Sequence, residues 1–267
     1  MSPNHRFEIG LGTYQITDEE CASTVARALE AGYRHVDTAQ MYDNEAAVGV
    51  GVRRADVPRE EVTVATKIHP DNLAYEDVLT TTQASLERLG VETVDLLYVH
   101  WPLGAYDPEG TLSALNELRT RGVVDEVGLS NFTPDLLEEA LNRLDEPPLA
   151  HQVEFHPFLQ QRELHRLALE ENHWLVGYCP LARGGVLDDP VIVDIAERHD
   201  VSAARVTLAW ATSKSNVAVV PKATGDHVED NFAAHELTLD DDEIARIDEL
   251  DRGERFVDDT PGTPPWE

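Results

Sequence analysis

Apolar and polar positions along the chain fall into two alternating patterns. Short β-branched or apolar runs, each bounded by turn residues, begin near Ile9, Tyr33, Val62, Val94, Val123, Leu149, Trp174 and Asn216, and each predicts a buried strand. Between them, residues 19–31, 75–89, 111–121, 134–144 and 161–171 repeat their apolar positions at helical spacing. From Tyr33 onward the strand starts are separated by 29, 32, 29, 26, 25 and 42 residues, the rhythm of parallel strands joined by crossover helices. The longest gap holds two predicted helices, 190–199 and 203–212. Eight such strands predict a (β/α)8 TIM barrel, an α/β fold in a single domain over residues 1–267, with residues 252–267 as a turn-rich C-terminal loop. An open doubly wound sheet fits less well, because Gly10-Leu11-Gly12-Thr13-Tyr14 lacks the third glycine of a dinucleotide fingerprint and leads into no immediate helix.

Helix starts support the pattern: Thr17 precedes Asp18-Glu19-Glu20, and Thr133 precedes Pro134-Asp135, each a hydroxyl set to cap a first turn. No stretch approaches the run of about 18 apolar residues that a membrane span requires, and the first residues carry no secretory pattern, so the expected location is the cytoplasm. Cys21 and Cys179, the only cysteines, read as reduced thiols. Charge changes the picture more. With 51 acidic against 21 basic residues the chain carries −30, which argues against nucleic acid and anionic membranes as partners. Of the basic residues only Lys67, Lys214 and Lys222 are lysine. An acidic, lysine-poor chain is the pattern of a halophilic protein, whose carboxylates hold water while molar salt screens their repulsion.

In such barrels the reactive groups sit at the carboxyl ends of the strands. The predicted strands end, in order, at Asp37, Lys67, His100, Ser130-Asn131, Gln152 and Glu154, Tyr178, and Lys222. Taken singly, Asp37 reads equally well as a cap, His100 as a structural histidine and Tyr42 as a loop aromatic. Two of the three lysines at strand ends point instead to a chemical role.

The run Val36-Asp37-Thr38-Ala39-Gln40-Met41-Tyr42-Asp43-Asn44-Glu45 resembles the signature of the aldo-keto reductase family. Ala65-Thr66-Lys67, Leu97 to Pro102, Gly128 to Phe132, Gln152 to Pro157 and Val220-Pro221-Lys222 resemble further blocks of that family in the same order. The resemblance implies reduction of an aldehyde or ketone by hydride from a nicotinamide, without metal. It implies Tyr42 as proton donor, Lys67 as the cation that makes the phenol a better acid, Asp37 as the carboxylate holding Lys67, and His100 orienting the carbonyl. It further implies that Ser130, Asn131 and Gln152 hold the carboxamide, that Tyr178 stacks on the nicotinamide, that the loop through Leu181 contacts pyrophosphate, and that Lys222 and Asn231 meet the 2′-phosphate and adenine. Two departures stand out: Ala223 replaces a usual serine, with Thr224 as a substitute hydroxyl, and His227 stands where an arginine grips the 2′-phosphate. The expected cofactor is therefore NADPH, with NADH as an admissible second donor.

Short loops around residues 101–111, 183–189 and 252–267 imply an open pocket, with Tyr14, Trp101 and Trp266 as aromatic walls. The expected partner is a small carbonyl compound, such as an aldehyde, dicarbonyl or sugar-derived ketone of the kind handled by the diketogluconate reductase branch, and the expected state is a monomer. A cofactor-binding regulatory subunit of the same fold is the alternative; a metal-dependent barrel hydrolase is disfavoured because it needs clustered ligands rather than Lys67 among the strand ends. The halophile reading predicts that melting temperature, followed by circular dichroism, rises between low salt and molar potassium chloride; no rise counts against it.

Overall fold

The computed structural model describes residues 5–257, a single α/β unit. Eight strands alternate with helices: β1 (Leu11–Gly12), β2 (His35–Asp37), β3 (Thr63–Ile68), β4 (Val94–Val99), β5 (Val124–Ser130), β6 (Ala150–Glu154), β7 (Trp174–Tyr178) and β8 (Val217–Val219). Every ladder is parallel and the sheet order is the chain order. All eight lie where the apolar runs predict them. The sheet curls until its ends meet, but the seam is sparse. Two isolated bridges, Ile9 with Val219 and Gly12 with Lys222, join the first and last segments. The amides of Gly10 and Gly12 complete the seam by donating to Val219 and Pro221 carbonyls at 2.8 and 3.0 Å.

The predicted helices appear as α2 (Asp18–Ala31), α4 (Tyr75–Leu89), α5 (Pro108–Thr120), α6 (Pro134–Leu141), α7 (Arg162–Glu170), α8 (Pro190–His199) and α9 (Ala203–Thr212). Helix α5 starts a turn earlier than its apolar repeat because Asp107 caps it from outside, accepting from Gly110 N at 2.7 Å. Thr133 caps α6 as expected; Thr17 does not cap α2, whose start rests on its acidic first turn instead. Four more helices, α1 (His5–Glu8), α3 (Glu45–Arg54), α10 (His227–Phe232) and α11 (Asp241–Asp248), have no counterpart in the periodicity. The case of α3 is instructive. Its two glycines weaken it as an isolated helix, yet a Cβ at Gly49 would lie 2.0 Å from the Leu89 carbonyl. Close packing of backbone on backbone, which only glycine permits, holds this helix in place.

Two apolar layers result. The larger lies between sheet and helices; the smaller fills the inside of the curl with Ala65, Leu96, Tyr98, Ala150, Val176, Ala218 and Val220. Gly128 makes room for the Tyr98 ring, which a Cβ there would approach to 2.3 Å. The amino end of the curl is closed by Phe7, stacked on His35 at 4.4 Å and tilted against Trp174 at 5.4 Å. Polar groups are thereby left to the carboxyl end. The first part of the expected C-terminal loop is ordered there: Arg252 N and Glu254 N donate to the Phe158 carbonyl at 3.2 and 3.1 Å. Residues 258–267, Trp266 among them, lie outside the described residues.

Three buried histidines carry a testable consequence. Burial lowers His35, His151 and His173 to pKa values of about 4, 3 and 4. A histidine with a folded pKa below its unfolded value near 6.5 contributes stability that is complete above pH 6.5 and is lost as pH falls toward the folded pKa. With His100, which burial likewise lowers, urea unfolding between pH 6.5 and 5 is therefore expected to show uptake approaching about four protons by the unfolded chain. His151→Gln is expected to reduce that uptake by about one; an unfolding free energy flat over this window would refute the assignment.

Candidate active site

At the open end of the curl, β2 and β3 deliver a carboxylate and an ammonium to one point. Asp37 and Lys67 are both buried, and Lys67 Nζ is hydrogen-bonded to Asp37 Oδ1. The same ammonium donates to the Thr38 carbonyl at 3.0 Å, and Gln152 Nε2 donates to the other Asp37 oxygen at 2.8 Å. Asp37 is thus no helix cap; it is saturated by side chains from β3 and β6. Burial pulls the Lys67 pKa below that of an ordinary lysine, opposed by the Asp37 charge beside it.

Tyr42 ends a 3-10 turn, Gln40–Tyr42, and the left-handed Asp43 that follows (φ 54°) reverses the chain. Half-buried, it faces three side chains at once. Lys67 Nζ lies 5.1 Å from its ring centroid, His100 meets it edge-on at 5.7 Å, and Tyr14 tilts against it at 5.1 Å. The charge of Lys67, expected to ease proton loss from this phenol, does not set its resting acidity. Burial raises the Tyr42 pKa well above the ordinary phenol, and Asp37 and Tyr14 add to the rise. Lys67 is already paired, so Tyr42 faces a nearly neutral couple rather than a bare cation. His100 is held neutral by burial and, secondarily, by Lys67 and His69, and its Nδ1 has no protein partner.

The remaining strand ends interlock. Ser130 Oγ donates to the Gln152 carbonyl at 2.9 Å; Asn131 Nδ2 donates to the His100 carbonyl at 2.9 Å and to Ser130 Oγ at 3.0 Å. Tyr178 donates its hydroxyl to Asn131 Oδ1 at 2.9 Å. Asn131 adopts φ 63°, a conformation asparagine tolerates, and so turns its amide back across the strand ends. After β7 the chain turns through left-handed Cys179, Ala182 and Arg183, with Leu181 packed on the core. Burial lifts the Cys179 thiol to about 11, so it stays protonated.

Lys222 lies beside Gly12, itself paired with Asp37, but is exposed on the rim. Thr224 is half-buried, His227 is exposed at the start of α10, and Asn231 is buried. Beside them Arg27 of α2 bonds Asp226 at 3.0 Å and Glu229 at 2.6 Å. Trp101 is nearly buried, whereas Tyr14 is 51% exposed. Met41, 43% exposed and next to Tyr42, is an apolar lip that sequence reading missed; its exposure, not its type, marks it. From the sequence Glu154 reads only as a strand-end acid. Fully buried, it accepts from the amides of Phe256 and Val257 at 2.7 and 3.2 Å, seating the C-terminal segment against β6. Among the described residues no three His, Cys, Asp or Glu side chains form a candidate metal site.

The sequence and the fold are similar to those of known proteins. A family model described as the Aldo/keto reductase family matches residues 8–252. The methylglyoxal reductase DkgB of Escherichia coli is 37% identical over 262 residues, covering 97% of this chain and 98% of that protein. An aldo-keto reductase of Mycolicibacterium vanbaalenii is 37% identical over 255 residues, covering 94% of this chain and 90% of that protein. Among solved structures, a protein provisionally described as a 2,5-diketo-D-gluconic acid reductase B superposes with a TM-score of 0.93 at 35% identity, covering 97% of this chain and 92% of that one. A Gox0644 variant in complex with NADPH gives 0.85 at 33%, covering 92% and 89%.

Because the Asp37–Lys67 pair is sealed from water, removing one charge should strand the other. Asp37→Asn is expected to lower unfolding free energy by about 3 kcal/mol in urea titrations, and Asp37→Asn combined with Lys67→Met to recover much of that. An unpaired Lys67 escapes by deprotonating, so the single variant should lose more at pH 6 than at pH 9. Equal losses in single and double variants would contradict the pairing.

Proposed function

Since this chain belongs to the aldo/keto reductase family, we propose that it reduces a small aldehyde or ketone to the alcohol with a nicotinamide dinucleotide, Tyr42 serving as the acid. The observation that carries this reading is the convergence of Tyr42, the Asp37–Lys67 pair and neutral His100 at the open end of the curl. The strand-end groups fit such a cofactor. Ser130, Asn131 and Gln152 form a polar ledge suited to a carboxamide, Tyr178 offers a ring beside it, and Lys222 is an exposed cation suited to a phosphate. When bound, the dinucleotide supplies hydride to the carbonyl carbon.

The chain's own residues handle the oxygen. The Tyr42 hydroxyl donates its proton to the carbonyl oxygen as charge develops there, and the neutral His100 imidazole positions that oxygen. Lys67 then stabilises the phenolate left behind, its ammonium fixed by Asp37 and the Thr38 carbonyl. On the phosphate side, Lys222 favours NADPH, while the absence of an arginine at His227 and the nearby carboxylates of Asp226 and Glu229 leave room for NADH. Tyr14, Met41 and Trp101 give the mouth an apolar wall suited to small carbonyls, in keeping with the methylglyoxal reductase named among the relatives. Among the described residues no helix is long and apolar enough to cross a membrane. We take the acting form to be a cytoplasmic monomer in a salt-rich cell.

The test follows loss of NADPH absorbance when methylglyoxal and a panel of aldehydes and ketones are added in molar salt. Tyr42→Phe is expected to cut kcat by on the order of 10² to 10⁴ with cofactor affinity retained. Because His100 is lowered below pH 6.5 and Tyr42 is raised above 10, kcat/KM should stay flat from about pH 7 to 9. Near wild-type turnover by Tyr42→Phe would sink the mechanism, and higher kcat/KM with NADH would overturn the NADPH preference.

A further inference from the structure

The loop that carries Tyr42 is tied down at both ends, on one side by Lys67 and on the other by polar groups that the proposed chemistry does not use. At its start, the Thr38 carbonyl accepts from Lys67 Nζ at 3.0 Å. At its end, Glu45 Oε1 accepts from the hydroxyl of Thr66 at 2.6 Å. Thr66 and Lys67 are consecutive residues of β3, so their side chains leave opposite faces of the strand. The two ends of the loop are also tied to each other, Thr38 Oγ1 donating to Asn44 Oδ1 at 2.6 Å. Asn44 Nδ2 reaches on to the Thr13 and Ile16 carbonyls at 2.9 and 2.8 Å.

Glu45 is buried, and its second oxygen accepts from Arg88 Nε at 2.7 Å and Ser85 Oγ at 3.4 Å, with Arg88 Nη2 2.6 Å away as an ion pair. Ser85 also accepts from Gln40 Nε2 at 3.2 Å, and Gln40 stands two residues before Tyr42. Helix α3 gives up a local advantage to this arrangement. Asn44 occupies its N-cap position but makes no capping bond, its side chain being spent across the loop. A local rule broken without local gain marks a position held for another purpose.

We propose that Glu45 and Thr66 are positioning residues which, gripping β3 from its helix side while Lys67 grips the same loop from inside, fix the Tyr42 hydroxyl relative to the Lys67 ammonium. This rests on the assignment of Tyr42 as the acid. Without the outer clamp the loop pivots on Thr38, and Tyr42 samples positions unfit for proton donation while the strand-end groups stay in place.

The test pairs Thr66→Val, which keeps the shape and removes the donor, with Thr66→Ser, which keeps the donor. For Thr66→Val we expect kcat to fall about tenfold, with carbonyl KM and NADPH Kd changed less than twofold and a larger primary isotope effect from NADPH deuterated at the transferred position. Thr66→Ser should stay within twofold of wild type in all four. A Thr66→Val kcat within twofold of wild type, or a loss that Thr66→Ser shares, overturns the proposal. A separate readout does not depend on turnover: with 3-fluorotyrosine incorporated, the Tyr42 fluorine signal, assigned by its absence in Tyr42→Phe, should be single in wild type and Thr66→Ser and split or broadened in Thr66→Val. An unchanged signal overturns the positioning role even if the wild-type protein reduces no carbonyl, which would instead refute the assigned function.

Discussion

A carboxylate and an ammonium buried side by side at the mouth of a parallel sheet are tolerable only if both are fully bonded, and the arrangement of this molecule follows from that demand. Asp37 and Lys67 meet because β2 and β3 are neighbours in register, and their spare valences reach Gln152 of β6 and the Thr38 carbonyl. Taking two charges out of water carries a desolvation cost of several kcal/mol per ion, which their mutual attraction offsets only with good geometry and extra hydrogen bonds. The curl of the sheet provides that geometry. Apolar side chains fill its interior, Phe7 and Trp174 close the amino end, and polar groups collect at the other.

Around this pair the electrostatics run toward neutrality. Burial holds Tyr42 protonated and His100 uncharged, and Lys67 is kept charged by Asp37 against the pull of its surroundings. A site built in this way has a proton to give and no free charge until a reaction creates one. The preorganised ammonium then matters most when a phenolate appears beside it, since an interaction that strengthens as charge develops favours the transition state over the ground state.

The three lysines show how a chain of net charge −30 rations the ammonium group. Lys67 is sealed under Tyr42. Lys214 donates to Asp248 at 2.7 Å and sits 4.8 Å from the Trp210 ring centroid, a compact cation packed on an aromatic face. Lys222 stands exposed at the seam between the last strand and the first. On the outside, by contrast, arginine forms the ion pairs, among them Arg27 with Asp226 and Glu229, and Arg59 with Asp95. Its planar fork binds two oxygens at once, where an ammonium acts as a point charge.

Much of this was legible in the sequence. The eight strands, their order and the strand-end residues Asp37, Lys67, His100, Asn131 and Gln152 follow from apolar runs of the right length and from one residue at the end of each, because period and run length are local properties of a chain. What the sequence could not supply was whatever depends on distant backbone coming close. Helix α3 exists because Gly49 lies against Leu89, a contact invisible to periodicity. The sparse seam between β8 and β1, the seating of the C-terminal segment on Glu154, and the clamp of Glu45 on Thr66 all join residues far apart in the chain. The sign of the Tyr42 shift belongs to the same class: residue types suggested a nearby cation, but burial, with Asp37 and Tyr14 beside it, sets the resting shift. A pKa responds to surrounding dielectric and to charges already satisfied, and both are set only once the chain has folded.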